Sequence, residues 1–501
     1  MAQSSTEPKV SLRLIIDEKK NKVVLAEAGK DFVQVLFSFL TLPMGTIVRL
    51  LGKHQVSEPV TVGCISNLYT SVVDMKIDDF ETEACKQMLL YPRNYVREAQ
   101  CRKFKLNINP TENFKCFGCS SFPSCSMCSN FNTSRCRCGK LMTREIDLLE
   151  DEEVIVGIMQ NDLRGVFIRD RSSFIITDDL KLTVDSTSSL LQTLKALGFS
   201  DVSKLRERVL DIGLKEVLTL LRCVFSSSSP LTDTFLKNQS LHKVRKIYKR
   251  LSPCLEKNGD EAEQDKVITF DAIVRKQDMR ILYVECREDF VDLLLTFLAI
   301  PLESIWEVSG NHISLGCVGN LSRSFKDLSD NERTQVSNPK FVLPYYYSCQ
   351  NQLLNIITFK PQFYVTINRD ISRPLCCVTT KPTFIQVSFI DPKYNGHHSV
   401  STEGSGGFMK RDSKFTVSDD LVIAPKNTTS TFWALKKLQI HTNDIEVQKV
   451  SISKAHALNL LRASVVTSSA LSSAFGNLIV KKPKEENVSW NPVSKKLKVE
   501  T

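Results

Sequence analysis

Residues 31 to 43 read DFVQVLFSFLTLP, and residues 289 to 301 read DFVDLLLTFLAIP. The two segments share their opening Asp-Phe-Val, the order of their apolar residues and their closing proline. A long match of this kind within one chain indicates an internal repeat. We therefore predict that the chain is a tandem duplication of one structural unit.

Further landmarks recur in the same order along both halves of the sequence. The run Gly63-Cys-Ile-Ser-Asn-Leu68 returns as Gly316-Cys-Val-Gly-Asn-Leu321. The run Phe174-Ile-Ile-Thr-Asp-Asp-Leu180 returns as Phe415-Thr-Val-Ser-Asp-Asp-Leu421. Because the order is conserved across the chain, the repeat is expected to cover most of each half.

The predicted domain boundaries follow from the repeat and from changes in composition. The first unit spans residues 8–237, with a cysteine-rich module at about 100–145, and the second unit spans residues 267–476. Residues 238–266, which pass from a basic run to an acidic one, are predicted to be a linker. A glycine-rich mobile loop is expected at 393–411 and a polar, disordered tail at 477–501.

Each unit is predicted to mix strands and helices without regular alternation, which is typical of an α+β fold. Residues 11–16 and 23–27 flank a polar turn and predict a hairpin. Asp31 is expected to cap an apolar helix over residues 32–40 that ends at Pro43. A second hairpin is predicted near 165–182, followed by helices at 188–197 and 202–224.

Composition places the chain among ordinary globular proteins, with 42% apolar and 24% charged residues over 501 positions. Its net charge of +10 is spread over 66 basic and 56 acidic residues, which is a weak signal for nucleic-acid binding. The polar start of the chain and the lack of a long apolar run predict an intracellular protein, cytoplasmic or nuclear, with no membrane partner. Its cysteines are then expected to be reduced thiols or metal ligands.

A cluster of cysteines is the sharpest chemical signal in the chain. Six of them fall between residues 116 and 138: Cys116, Cys119, Cys125, Cys128, Cys136 and Cys138. Two C-x-x-C pairs followed by a C-x-C pair can surround one tetrahedral ion with sulfur. Four thiolates leave no open coordination position, so the cluster predicts a structural rather than a catalytic zinc ion.

Six cysteines offer several sets of four ligands. The favoured set is Cys116, Cys119, Cys136 and Cys138. These residues bracket the module, and Gly139 permits a tight turn behind the last pair. Cys125 and Cys128 are the alternative first pair, and reduced thiols without metal remain a further interpretation. The second unit has only the adjacent Cys376 and Cys377 in the corresponding stretch, so the module is expected to stabilise the first unit alone.

Other polar residues also recur in both units. They are His54 with His312, Asp178-Asp179 with Asp419-Asp420, and Cys64 with Cys317. We interpret them as turn or capping histidines, turn carboxylates and small buried thiols, since no catalytic partner repeats beside them. The sequence contains no phosphate-binding loop, dinucleotide fingerprint, zinc-protease motif or nucleophile elbow. It therefore favours a protein that is not an enzyme.

Four runs together resemble a plant family that carries domain of unknown function 674. They are Leu89 to Asn94, Arg135 to Met142, Phe174 to Leu180, and Pro230 to Asp233. The resemblance spans about residues 9–475. It implies a plant origin and an uncharacterised function, and it supplies no catalytic residues. Cys136 and Cys138 lie within the second of these runs, which supports their place among the ligands.

The leading hypothesis from the sequence is a non-enzymatic interaction or scaffold protein with a structural zinc site and a protein partner. A closed metal site, a duplicated scaffold and the lack of a catalytic motif support it. The alternatives are a nucleic-acid-associated protein and an enzyme of unidentified class. The sequence predicts neither the oligomeric state nor the biological process.

Overall fold

The structure is a computed structural model and has an α+β fold, as the sequence predicts. It describes residues 9–52, 60–93, 112–116, 127–146, 173–237, 266–309, 315–328, 341–350, 352–360, 362–367, 383–395, 406–428, 432, 436 and 441–480. The predicted linker, apart from residue 266, lies outside this part of the chain. So do residues 396–405 of the predicted loop and 481–501 of the predicted tail.

The first half comprises the described residues from 9 to 237. Its strands are β1 (Val10–Asp17), β2 (Lys22–Gly29), β3 (Phe114–Lys115), β4 (Met127–Cys128), β5 (Arg144–Glu145), β6 (Ser173–Thr177), β7 (Leu182–Val184) and β8 (Leu205–Ile212). Its helices are α1 (Lys30–Ser38), α2 (Met44–Gly52), α3 (Ile65–Asp74), α4 (Glu83–Leu90), α5 (Thr187–Ala196), α6 (Leu214–Ser226) and α7 (Pro230–Phe235).

The second half comprises the described residues from 266 to 480. Its strands are β9 (Ile268–Arg275), β10 (Arg280–Arg287), β11 (Phe341–Pro344), β12 (Ile356–Phe359), β13 (Gln362–Ile367), β14 (Thr383–Phe389), β15 (Lys414–Ser418), β16 (Ile423–Pro425) and β17 (Ile445–Ile452). Its helices are α8 (Glu288–Thr296), α9 (Leu302–Val308), α10 (Val318–Leu328), α11 (Lys454–Val466) and α12 (Ala470–Phe475).

Each half contains a five-stranded sheet. The strand order is β7-β6-β2-β1-β8 in the first half and β16-β15-β10-β9-β17 in the second. All neighbouring strands in both sheets are antiparallel. When strands are taken in chain order, the two sheets therefore have the same topology. Three smaller sheets are formed by β11-β12, β13-β14-β4 and β3-β5.

The hairpin predicted at the start of the chain is confirmed as β1 and β2. Its turn contains Asn21 at φ 45°, in the left-handed region that asparagine tolerates better than most residues. Alternate side chains of β1 are buried, and Leu12 and Leu14 lie in the main core. Residues 23–26 of β2 are all buried, because Val24 and Leu25 pack with Leu194 of α5 on the opposite face of the sheet.

The apolar helix after the hairpin begins earlier than predicted. Helix α1 is capped by Gly29, so the prediction that Asp31 is the N-cap is wrong. Asp31 lies instead in the first turn, where a carboxylate favours the positive end of the helix dipole. Residues 39–41 continue as a 3-10 helix before Pro43, so the predicted end of the helix is confirmed.

The prediction of one helix over residues 202–224 is wrong for its first part. Residues 205–212 form β8, which pairs with β1 along its whole length, and α6 begins only after Gly213. Strand β8 lies at the edge of the sheet, and most of its side chains are exposed. Its sequence therefore lacks the alternation of apolar and polar residues that identifies a half-buried strand.

The two halves contact each other through matching pairs of backbone hydrogen bonds. On either side of Pro43 and Pro301, Met44 N donates to Ile300 O at 3.0 Å, and Leu302 N donates to Leu42 O at 3.1 Å. Each of these bonds has a counterpart at the equivalent position of the other half. The contact is therefore reciprocal.

A second reciprocal contact involves the glycine turns before α3 and α10. Gly63 and Gly316 have φ values of 47° and 46°, which glycine adopts without strain. The amide that follows Gly63 donates to Ser464 O at 2.7 Å, and the amide that follows Gly316 donates to Val224 O at 2.8 Å. Each turn thus lies directly against a helix of the other half.

One hydrophobic core extends across both halves. For example, Phe37 of α1 contacts Phe325 of α10 edge to face, with ring centroids 5.1 Å apart. Aromatic pairs in this arrangement stabilise a fold beyond the area that they bury. Because the two halves share their core, we expect them to fold together.

Candidate metal centre

The turn that carries Cys136 and Cys138 is held by its own backbone. Cys136 N donates to Lys140 O at 2.8 Å, and Gly139 N donates back to Cys136 O at 2.8 Å. Gly139 has φ 84°, and a side chain there would be strained even though the space around it is open. The tight turn predicted behind the last cysteine pair is thus confirmed.

Short strands bring Cys116 to this turn. Phe114, on β3, exchanges two backbone hydrogen bonds with Ser129, at 2.7 and 2.9 Å. Strand β3 also pairs with β5, which follows the turn. Cys116 comes directly after β3, so these pairings place its sulfur beside the C-x-C pair.

Three sulfur atoms converge at this point. Cys116, Cys136 and Cys138 place their sulfurs within 4.8 Å of one another, and the sulfurs of Cys116 and Cys138 are 3.4 Å apart. With Zn–S bonds of about 2.3 Å, tetrahedral geometry separates neighbouring sulfurs by about 3.8 Å. The arrangement therefore fits the ligands of one zinc ion with little movement. Cys116 and Cys136 are buried, whereas Cys138 is exposed.

Of the three remaining candidate ligands, only Cys128 lies within the described residues. Cys119 and Cys125 lie outside the described residues. Cys128 is fully buried on β4, and its thiol is directed at Ser388 O, 3.7 Å away. The sulfur of Cys128 is not part of the three-sulfur group.

The cysteine module has a small apolar cluster of its own. Its buried members are Phe114, Cys116, Cys136, Met142 and Ile390. A cluster of this size buries too little apolar surface to order a polar segment unaided. Small modules of this kind are usually completed by disulfides or by a metal ion.

The module is also attached to the second half. Strand β4 pairs in parallel with β14, and Ile390 N donates to Cys128 O at 2.8 Å. The apolar side chain of Ile390 is itself a member of the module's cluster. The base of the module is therefore docked on the second half, whereas residues 137, 138, 140 and 141 at its tip are exposed.

The repeated aspartate pairs serve the fold. Asp178 accepts hydrogen bonds from both the amide and the hydroxyl of Thr232, at 2.9 and 2.8 Å, near the start of α7. Asp419 accepts from Ser472 N at 2.8 Å, at the matching place in α12, and from Arg280 at 3.0 Å. Burial raises the pKa of both aspartates. These carboxylates fix a helix to the sheet in each half.

The second aspartate of each pair binds the other half of the chain. Asn320 Nδ2 donates to the backbone and the carboxylate of Asp179, at 2.8 and 3.0 Å. Asn67 Nδ2 donates in the same way to Asp420, at 2.8 and 3.2 Å. Hydrogen bonds within the protein account for both pairs without a bound cation.

The repeated cysteines are buried thiols, as the sequence indicates. Cys64 and Cys317 are 1% and 3% exposed, and burial raises the pKa of each to about 12. Their thiols donate to Thr467 O at 3.0 Å and Ser227 O at 3.3 Å. A thiol that stays protonated is a poor nucleophile. The repeated His54 and His312 lie outside the described residues.

Sequence reasoning did not single out Asp292. It lies in the buried helix α8 and is only 4% exposed. Comparison of the two repeats could have identified it, because the residue aligned with Asp292 in the first half is the neutral Gln34. A carboxylate at a buried position of a helix is uncommon unless it has a partner.

Within the described residues, none of the helices combines the length and the apolar character that a membrane span needs.

Comparison with known proteins yields one family. Searches of curated proteins and of solved structures gave no match. The model of a family described as a protein of unknown function, DUF674, matches residues 6–455, which confirms the resemblance seen in the sequence. The chain therefore belongs to the DUF674 family.

Proposed function

We propose that the protein is a non-enzymatic interaction or scaffold protein whose cysteine module is closed by one structural zinc ion. The convergence of the sulfurs of Cys116, Cys136 and Cys138 carries this proposal. Cys119 supplies the fourth thiolate, because it stands three residues after Cys116 in a C-x-x-C pair. A four-sulfur site leaves no position for a substrate, so the role of the ion is architectural.

Zinc would join two parts of the chain. Two of its ligands lie in the turn at residues 136–138, and a third, Cys116, directly follows strand β3. The same module pairs with β14 of the second half. An ion that orders the module therefore also holds it against the second half, because the docked strand β4 lies between the two cysteine segments.

We also propose that the two halves derive from duplication of one unit. The recurring sequence landmarks, the matching strand orders of the five-stranded sheets and the reciprocal contacts support this. Duplication followed by loss or gain of a module is consistent with cysteines clustered in one half only. The scaffold is thus common to both halves, and the metal site belongs to the first.

The exposed tip of the module is the surface that we propose for a protein partner. Leu141 is 43% exposed there, beside the exposed Cys138 and the basic Lys140. A partly apolar tip with positive charge suits a partner surface with a hydrophobic centre and an acidic rim. Reduced thiols suit the cytoplasm or nucleus, where we place the protein.

The partner surface is tested by affinity purification of the tagged chain, followed by binding measurements with the purified partner. Leu141→Asp is expected to weaken partner binding about tenfold or more, because it places a charge in the centre of the interface. Leu191→Asp is the matched control, since Leu191 is similarly exposed on α5. Equal loss of binding in both variants, or no loss in either, would exclude the tip as the interface.

A further inference from the structure

A cavity of about 120 Å³ lies beside α8 in the second half. Helix α8 forms one wall with Glu288, Asp289 and Asp292. The other polar side chains of the lining are Thr296, also on α8, and Gln350, Gln352 and Arg411, which come from two other segments. Since one water molecule occupies about 30 Å³, the cavity has room for a ligand of only a few non-hydrogen atoms.

The α8 wall presents two carboxylate oxygens to which no described residue donates, and one of them, Glu288 Oε2, is buried. Asp292 Oδ1 accepts from Phe408 N at 2.9 Å and Met409 N at 3.0 Å, whereas no described residue donates to Oδ2. Glu288 Oε2 is buried and likewise has no partner in the described part of the chain. A buried acceptor without a donor costs about 1 to 3 kcal/mol, which a ligand with donor groups would offset.

The residues outside α8 present unused donors. Gln352 Oε1 accepts from Cys349 N at 3.0 Å, which leaves Gln352 Nε2 buried without an acceptor among the described residues. Arg411 also lines the cavity, and no described residue forms an ion pair with it. The cavity therefore combines acceptors from one segment with donors from two others.

A metal ion does not fit this arrangement. Within the described part of the chain, only the cysteine group brings three metal-binding side chains within 4.8 Å of one another. The three carboxylates of α8 thus do not gather around one point, and the positive charge of Arg411 would repel a metal ion. A ligand that carries both a positive and a negative group matches the lining better.

Two of the three acids that line the cavity are absent from the aligned positions of the first half. At the matching positions of the first half, Lys30 and Gln34 stand in place of Glu288 and Asp292. Gly407 also lines the cavity, and a Cβ there would collide with the Asp292 carboxylate. Glycine at this position keeps the space open around that carboxylate.

We propose that this cavity binds a small zwitterion with a protonated amine and a carboxylate, of the size of glycine or alanine. The amine lies against Glu288 and Asp292, and the carboxylate lies against Gln352 and Arg411. Burial raises the pKa of Asp292 to about 7, and a bound ammonium group would favour its ionised form. This site is independent of the zinc module and of the proposed scaffold role.

Isothermal titration of the full chain with glycine and with alanine at pH 8 tests the proposal. We expect saturable binding of one ligand per chain, and weaker binding of methylamine or acetate, which each carry one of the two groups. Glu288→Gln is expected to weaken binding about tenfold or more, since it removes one charged hydrogen bond. Asp292→Asn is expected to act in the same direction.

Glu307→Gln is the matched control, because Glu307 is an exposed acid on α9 that does not line the cavity. It should bind as the wild type does, and circular dichroism should show that Glu288→Gln is folded. The proposal is overturned if no saturable binding occurs, if folded Glu288→Gln binds equally well, or if methylamine or acetate binds as tightly as the amino acids.

Discussion

Replacement of Gly316 with alanine is expected to lower the free energy of unfolding by more than about 3 kcal/mol. An alanine at this φ of 46° is strained by about 1 to 2 kcal/mol in any surroundings. Its Cβ would also meet Val224 O and lie 2.8 Å from the carbonyl carbon of Phe225, on a helix of the other half. Chemical denaturation monitored by circular dichroism measures the loss. Gly63→Ala is expected to behave alike.

Substitutions at two other glycines distinguish the effect of backbone strain from the effect of a steric collision. Gly198 has φ 81° and open space around it, so Gly198→Ala should lose only the strain of about 1 to 2 kcal/mol. Gly476 has neither a positive φ nor a close neighbour, so Gly476→Ala should change stability by less than about 1 kcal/mol. If Gly316→Ala were as mild as Gly198→Ala, the close approach between the halves would be refuted.

Loss of zinc should release the cysteine module without unfolding the sheets. In the double variant Cys136→Ser with Cys138→Ser, the amides of Gly139, Met142 and Ile390 are expected to exchange with deuterium at least about 100-fold faster. That factor corresponds to about 2.7 kcal/mol, which is small beside the ~10 kcal/mol or more that structural zinc contributes in small modules. Hydrogen exchange resolved by mass spectrometry measures it.

The amides of β1 and β8 provide the internal control for this experiment. They pair with each other in the first five-stranded sheet, outside the module, and their exchange should stay within a few-fold of the wild type. The effect on Ile390 is the most informative, because that amide belongs to the second half and bonds to β4. Unchanged exchange at Ile390 would contradict the role of the ion in holding the module against the second half.

Much of the local structure could be predicted from the sequence because it depends on local patterns. The first hairpin alternates apolar residues around a polar turn, and the segment before Pro43 is almost wholly apolar. The edge strand β8 could not be recognised, because its pairing with β1 links residues nearly 200 positions apart and leaves most of its side chains exposed. The local pattern of apolar and polar residues does not reveal a pairing between such distant segments.

The candidate sites differ in the same way. The C-x-x-C and C-x-C spacings, with the family resemblance, predict that Cys116, Cys136 and Cys138 share one ion, and the three sulfurs do converge. The pairing of β3 with β5 that brings Cys116 to the C-x-C turn is not visible in the spacing. The reciprocal contact of Asn67 with Asp420, and the cavity at Asp292, join segments that are distant in the chain. The sequence shows that the asparagine and aspartate recur in both halves and that Asp292 does not. It does not show which residues lie in contact, because that depends on the fold.

Elemental analysis of the purified full chain measures whether the cysteine module holds a zinc ion. We expect about one zinc per chain, lost on Cys119→Ser and on Cys136→Ser with Cys138→Ser. Zinc should be retained in Cys125→Ser, Cys128→Ser and the control Cys223→Ser, since Cys223 lies on α6 outside the module. A folded chain without zinc, or one that keeps its zinc when Cys136 and Cys138 are both replaced, would contradict the proposed zinc site.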